Sequence, residues 1–347
     1  MLWSIVVFAN IAVVVGCCVF FFSMFDIVVY RKQTSAFMKK YTSNVSVYGQ
    51  ENNQKKYEKK DAMSIDFRKA HPFSAFKTEP SVLGISDKVK FSINSRGYRS
   101  PEVNEDKESG VIRIAIIGGS VAFQGDTNET SIISMVAQHI RNAGFAVEYI
   151  NTGTLSYNTE QEISVLVHEL LRLHVDLVVA LDGFNDIHNF LHATKRLGWP
   201  ARDKDIKSQG AFEYYPELSP SNELTSVEDV LAATRYYIDN IQIMARICKE
   251  FGIKFIACLQ PWRDYSPEYC FRSGGVNQAE FLKGKFYCEA RRIFSDMNKN
   301  NFAKGVYIFM ADIFHDKKYL YTDEVHFTDE GNGIVAEKIF EFIKNDF

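Results

Sequence analysis

A serine hydroxyl becomes a useful nucleophile only when a neighbouring base takes its proton and nearby donors hold the oxyanion its attack creates. Four short stretches of this 347-residue chain carry residue types suited to that work. Gly118-Gly119-Ser120 closes the apolar run Ile112-Arg113-Ile114-Ala115-Ile116-Ile117, and its glycines allow a sharp turn with close approach of a substrate to the backbone. Asp323-Glu324-Val325-His326 sets a carboxylate three residues before an imidazole, a spacing at which Asp323 can orient His326 as general base toward Ser120. Gly183-Phe184-Asn185-Asp186 offers the amide of Asn185 as a donor to developing negative charge. Asn151-Thr152-Gly153 offers the backbone N–H of Gly153 for the same purpose. Each stretch also has a plainer reading: a tight turn at Ser120, a helix cap at Asn185-Asp186, a surface histidine at 326. Their joint placement in the chain has to decide.

Other chemistries find little material. Gly118, Gly119 and Gly125 do not make G-x-G-x-x-G, no G-K-[ST] follows them, and the G-x-S-x-G elbow is missing. No CxxC pair or zinc-like Cys/His spacing occurs, so neither a metal nor a cofactor is expected. The formal net charge of -3 gives no electrostatic case for nucleic acid as a partner. Of the six cysteines, Cys17 and Cys18 lie in an apolar run. Cys270 and Cys288 flank a polar stretch and could pair in an oxidising compartment, although free thiols at 248, 258, 270 and 288 are the plainer expectation. His188 and His192 lie close to the Asn185 stretch and are candidates to touch substrate. Phe184, Trp199 and Trp262 could line a pocket, with packing the simpler role for each.

The elements around these residues follow an alternating pattern. Strands are expected at 112–117, 147–150, 176–181, 254–259 and 306–309, and helices at 131–143, 160–173, 227–251, 279–298 and 329–343. Such alternation implies a parallel sheet covered on both faces, with ligands gathered beyond the carboxyl ends of the strands. Ser120, Gly153 and Asn185 all fall just after expected strands. The stretch from 187 to about 226 is too long for a bare connection and reads as a lid or substrate wall.

Ahead of that domain the chain changes character. Leu2 to Phe25 carries no charged side chain, which is long enough for a helix to cross a hydrocarbon core of roughly 30 Å. Residues 1–29 are therefore expected to be a transmembrane anchor, 30–61 a polar juxtamembrane linker, and 62–110 a small accessory segment with one strand near Val89, Phe91 and Ile93 and a turn at Gly97. Arg31, Lys32, Lys39 and Lys40 follow the apolar run, so the positive-inside rule points the rest of the chain toward the cytoplasm.

Taken in order, Gly118-Gly119-Ser120, Gly153, Gly183-Phe184-Asn185-Asp186 and Asp323-Glu324-Val325-His326 resemble the four blocks of the SGNH/GDSL serine hydrolases, over about residues 111–347. The resemblance implies a three-layer flavodoxin-like α/β domain with Ser120, Asp323 and His326 as catalytic triad. It also implies an oxyanion hole from the N–H groups of Ser120 and Gly153 and the side chain of Asn185. One departure is plain: the acidic residue that usually precedes the serine is Gly119 here. The implied activity is hydrolysis of an acyl ester, acetyl among the options, on a carbohydrate or lipid. Transfer of the acyl group to an envelope glycan and a non-catalytic envelope scaffold are the alternatives. Gly97-Tyr98-Arg99 looks like the corresponding segment of anchored bacterial members that work in the cell envelope, which sets an extracytoplasmic domain against the positive-inside expectation.

Overall fold

The structure is a computed structural model that describes residues 55–58, 68–85, 90–194, 225–273 and 277–345. The expected anchor at 1–29, most of the linker, Trp199 and residues 195–224 of the wall expected at 187 to about 226 lie outside the described residues, while 187–194 are helical rather than loop. Among the described residues no helix is long and apolar enough to cross a membrane.

Two small sheets come first. A three-stranded one contains β1 (Lys55–Glu58), β4 (Val82–Ile85) and β5 (Lys90–Ser92), and β2 (Arg68–His71) pairs antiparallel with β3 (Ala75–Thr78). Lys55–Glu58, expected as linker, thus pairs in parallel with β4, and the accessory segment holds more strands than its patterning suggests. The expected alternation at 91 and 93 does hold, since Phe91 and Ile93 are both buried, and Gly97 turns the chain with a φ of +85°.

The main sheet has five parallel strands in the order β7 (Val147–Asn151), β6 (Ile112–Gly118), β8 (Leu177–Asp182), β9 (Lys254–Leu259), β10 (Val306–Phe309). All six residues of β8 are buried, as a strand covered on both faces requires. The helices are α1 (Ser120–Phe123), α2 (Ile132–Asn142), α3 (Thr159–His168), α4 (Phe184–Asn189), α5 (Val227–Glu250), α6 (Gln278–Lys299) and α7 (Asp329–Ile343). Helices α2 and α7 pack on each other, while α5 packs against α3 and α6, which makes the three layers. Caps set their starts: Asn158 and Ser226 each close a capping box, and the Thr328 side chain accepts from the Gly331 N–H. The one expected helix that stops short is α3, which ends at His168 and continues as a 3-10 turn over Leu170–Leu173.

In sequence order the sheet reads 2-1-3-4-5, the flavodoxin-like arrangement. Its switch point lies between the first and third strands, here β6 and β8. Ser120 follows β6 and Asn185 follows β8, so the fold alone brings these two residues to the crevice where such sheets bind ligands.

The accessory segment braces that crevice from behind. Arg99 is buried and donates to the carbonyls of Phe123 (2.7 Å), Gly125 (2.7 Å) and Thr127 (2.8 Å), clamping the chain just beyond α1. Its guanidinium lies over the rings of Phe91 and Phe123, at 4.8 and 4.9 Å, so strand β5 and the nucleophile-bearing turn share one cation. Val82, Phe91, Ile93 and Phe123 form a small core of their own around it.

Cys270 and Cys288 are joined in a disulfide, against the plainer expectation of free thiols, and Cys248 and Cys258 are free and buried. The pairing is possible because α6 brings Cys288 back beside the turn at Pro267–Cys270. That close packing shows at Gly284, where a Cβ would overlap the Tyr269 ring.

Candidate active site

Ser120 is the first residue of α1, which starts directly on the strand-ending glycines. Its backbone N–H therefore belongs to the first turn, where no intrahelical acceptor exists. Gly119 is needed for a neighbour's sake: a Cβ there would overlap Asn185 Nδ2, so only glycine lets the Asn185 amide close on the serine turn.

His326 arrives from the far end of the chain on a tight turn. Tyr321 and Phe327 make an antiparallel bridge, and the Thr322 N–H donates to the His326 carbonyl at 2.9 Å. Inside that turn Asp323 Oδ1 accepts from the backbone N–H groups of Val325 and His326, both at 2.8 Å. Docking against the serine turn is polar as well. Gln124 Nε2 donates to Asn332 Oδ1 (2.7 Å) and the Asp126 N–H donates to Asp329 Oδ1 (3.0 Å).

The result is a continuous line. His326 Nδ1 is 2.6 Å from Asp323 Oδ2, and His326 Nε2 is 2.7 Å from Ser120 Oγ, across 206 residues of sequence. Partial burial works to raise the Asp323 pKa. The His326 ring and the two backbone N–H donors outweigh it and hold the carboxyl well below the usual carboxylate range. A permanent carboxylate on Nδ1 fixes the tautomer with the proton on that nitrogen and leaves Nε2 free to accept from the serine.

Asn185 Nδ2 donates to the Tyr157 carbonyl at 2.7 Å, which orients the amide and leaves its second N–H without an acceptor among the described residues. Gly153 does something other than expected. Its N–H donates to Asn151 Oδ1 at 2.9 Å, and a Cβ on it would sit 2.6 Å from the Phe123 nitrogen. Its absent side chain lets α1 lie flat on the loop, and its donor is already occupied. The backbone that does border Asn185 and Gly119 is four residues further on, at the Tyr157 carbonyl, an acceptor rather than a donor.

Beneath the site lies a second set of titratable groups. Glu162 and Asp182 are buried on α3 and β8 and Asp186 is half-buried on α4; the Glu162 and Asp182 carboxyls lie within hydrogen-bond reach of each other, a contact that needs one of them protonated, and Asp186 Oδ2 is closed off without a donor among the described residues. Asp182 Oδ1 accepts from the Tyr237 hydroxyl at 2.8 Å, and Asp186 Oδ1 accepts from the Thr159 hydroxyl at 2.5 Å. Burial, then the neighbouring carboxyls, raises Glu162 well above its ordinary value; burial raises Asp182 as well. Burial and the charge of Asp182 push Asp186 up to about 7. With all three carboxyls raised, protons relieve the crowding here.

His188 and His192 do lie beside the site, one ring against the other at 4.6 Å, and His188 stacks on Phe184 at 5.4 Å. Burial and the nearby Lys283 ammonium bring His188 down to about 4, so it is neutral at physiological pH. Phe184 and Trp262 are buried, and each also meets a polar group: the Lys283 ammonium lies over the Phe184 ring and Trp262 Nε1 donates to Glu324 Oε1.

No protein-family model and no curated protein matches the chain. Solved structures do show similarity. The acetylxylan esterase Axe2 from Geobacillus stearothermophilus is 12% identical, with a TM-score of 0.43 over 67% of this chain and 94% of that one. A catalytic mutant of the same esterase is 11% identical, with a TM-score of 0.45 over 69% and 96%. A Parabacteroides merdae protein described as a GDSL-like lipase is 14% identical, with a TM-score of 0.42 over 70% and 98%. These are distant likenesses, and the chemistry of this chain rests on its own side chains.

Proposed function

We propose that the chain is a membrane-anchored serine esterase of the SGNH type, which hydrolyses an acyl ester through Ser120, His326 and Asp323. The observation that carries this reading is the unbroken line of hydrogen bonds from Asp323 through His326 to Ser120. In the reaction, His326 Nε2 takes the Ser120 proton as Oγ attacks the ester carbonyl, and the imidazolium that forms is stabilised by Asp323. The oxyanion is met by the Ser120 N–H and the second N–H of the Asn185 amide. The imidazolium then protonates the departing alcohol, and a water activated by His326 releases the acid from the acyl-enzyme.

The leaving alcohol is a carbohydrate or lipid hydroxyl. The Cys270–Cys288 disulfide supports an oxidising, extracytoplasmic setting for the domain, with residues 2–25 as its tether. A fluorophosphonate probe tests the reading directly: wild type should be labelled, and Ser120→Ala should not. Equal labelling of both proteins would overturn it. Ester loss that occurs only when a glycan is supplied, with acetylated glycan as product, would replace hydrolysis by acyl transfer.

A further inference from the structure

Lys283, on α6, is an unusual residue to find beside this site. Its side chain is only 5% exposed, and its Nζ lies 2.6 Å from Glu324 Oε1, within the turn that carries Asp323 and His326. Burying an ammonium is costly unless it is paired, so the pair calls for a role beyond stability. The same Glu324 oxygen accepts from Trp262 Nε1 at 3.2 Å, and the Glu324 carbonyl accepts from the Arg263 N–H at 3.0 Å. Glu324 is thereby fixed from two sides. On its other side the Lys283 ammonium stands 4.6 Å over the ring of Phe184, the residue directly before Asn185. One buried cation thus touches both the turn that presents the base and the helix that presents the oxyanion donor.

We propose that Lys283 is a positioning residue: through Glu324 it sets where the Asp323–His326 turn sits, and through Phe184 it keys that turn to the helix of Asn185. This rests on the serine-hydrolase reading of the site. Triad chemistry tolerates little displacement, since a shift of roughly 1 Å can lower a rate about 10²-fold. Lys283 touches neither Ser120 nor the reacting atoms, so its loss should act on the chemical step rather than on substrate binding.

The test uses the full chain and the variant Lys283→Met, which keeps the length and apolar stem of the side chain. The expected result is a fall of about 10²-fold in kcat on 4-nitrophenyl acetate, with KM within about twofold, and an equal slowing of fluorophosphonate labelling at Ser120. The double variant Lys283→Met/Glu324→Gln, which removes both charges, relieves any unpaired buried charge but does not restore the anchor of the turn, and should stay about as slow as Lys283→Met. A pair that mattered only through the cost of a stranded charge would show recovery instead. Should Lys283→Met fail to fold, Glu324→Gln breaks the pair from its more exposed partner and should slow labelling in the same direction. Wild-type labelling rates in both single variants, or a double variant restored to the wild-type rate, would overturn this inference alone. A wild type that does not label would overturn the reading of the site and this inference with it.

Discussion

Asp323 and Asp186 stand at the same end of the central sheet, each accepts hydrogen bonds from the backbone and from a side chain, and their surroundings drive them in opposite directions. Asp323 is more than half exposed and faces an imidazole that can become a cation; its carboxyl is held well below the usual range. Asp186 has one carboxyl oxygen closed off from water and Asp182 as its charged neighbour, and is pushed up to about 7. At Asp323 the hydrogen-bond donors outweigh partial burial, whereas at Asp186 burial and the neighbouring Asp182 outweigh the donors of Thr159. The consequence is a division of labour: a permanent anion aligns the base, while a partly protonated cluster fills the floor beneath Asn185.

The contrast can be broken at either end. The largest effect is expected from His326→Ala, which removes the group Asp323 serves and should lower kcat by roughly 10⁴–10⁶-fold. A loss under about tenfold in steady-state assays would show that the line of hydrogen bonds is not used. Asp323→Asn should lower kcat about 10⁴-fold with the fold intact, because the amide oxygen still accepts from Val325 and His326 while the ring loses its anion. Circular dichroism together with kcat checks both halves of that statement.

The floor is expected to answer in stability instead. Tyr237→Phe deprives Asp182 of its hydroxyl donor and should cost on the order of 1.5–3 kcal/mol in urea unfolding, more at pH 8 than at pH 5. The smallest effect belongs to Asp186→Asn, and its sign is set by linkage. The folded value of Asp186 is raised to about 7, so its favourable contribution is complete below the unfolded value near about 4 and is lost as pH rises through 7. At pH 8 the variant should be more stable than wild type by on the order of 1–2 kcal/mol, seen as a melting point about 2–8 °C higher, and at pH 5 the gap should close. A constant gap at both pH values would mean that Asp186 does not titrate in that window.

Much of this is legible in the sequence, for a physical reason. Strands such as 254–259 and 306–309, and the helix at 329–343, keep one period from end to end, and their bounds agree with the expected ones. Ser120, Asn185 and His326 stand out because each closes or opens such an element. What escapes is nonlocal or depends on a side chain turned inward. Gly153 reads as a donor in the sequence, whereas in the fold Asn151 claims its N–H. Strands β1 to β4 are four residues each, too short for a period to show. Glu162 sits on the buried side of α3, where an acid contradicts the pattern that marks the helix. Lys283 meets Glu324 across 41 residues, and nothing in either neighbourhood announces the other.

The 206 residues between nucleophile and base also bear on the protein's own synthesis. At roughly 5–20 residues per second, a ribosome that has already made Ser120 needs on the order of 10–40 s more to reach His326. Throughout that interval the serine is an ordinary alcohol with no partner to draw off its proton. An enzyme built in this order has no base beside its serine until His326 has been added, so a product that stops short of that residue lacks the triad.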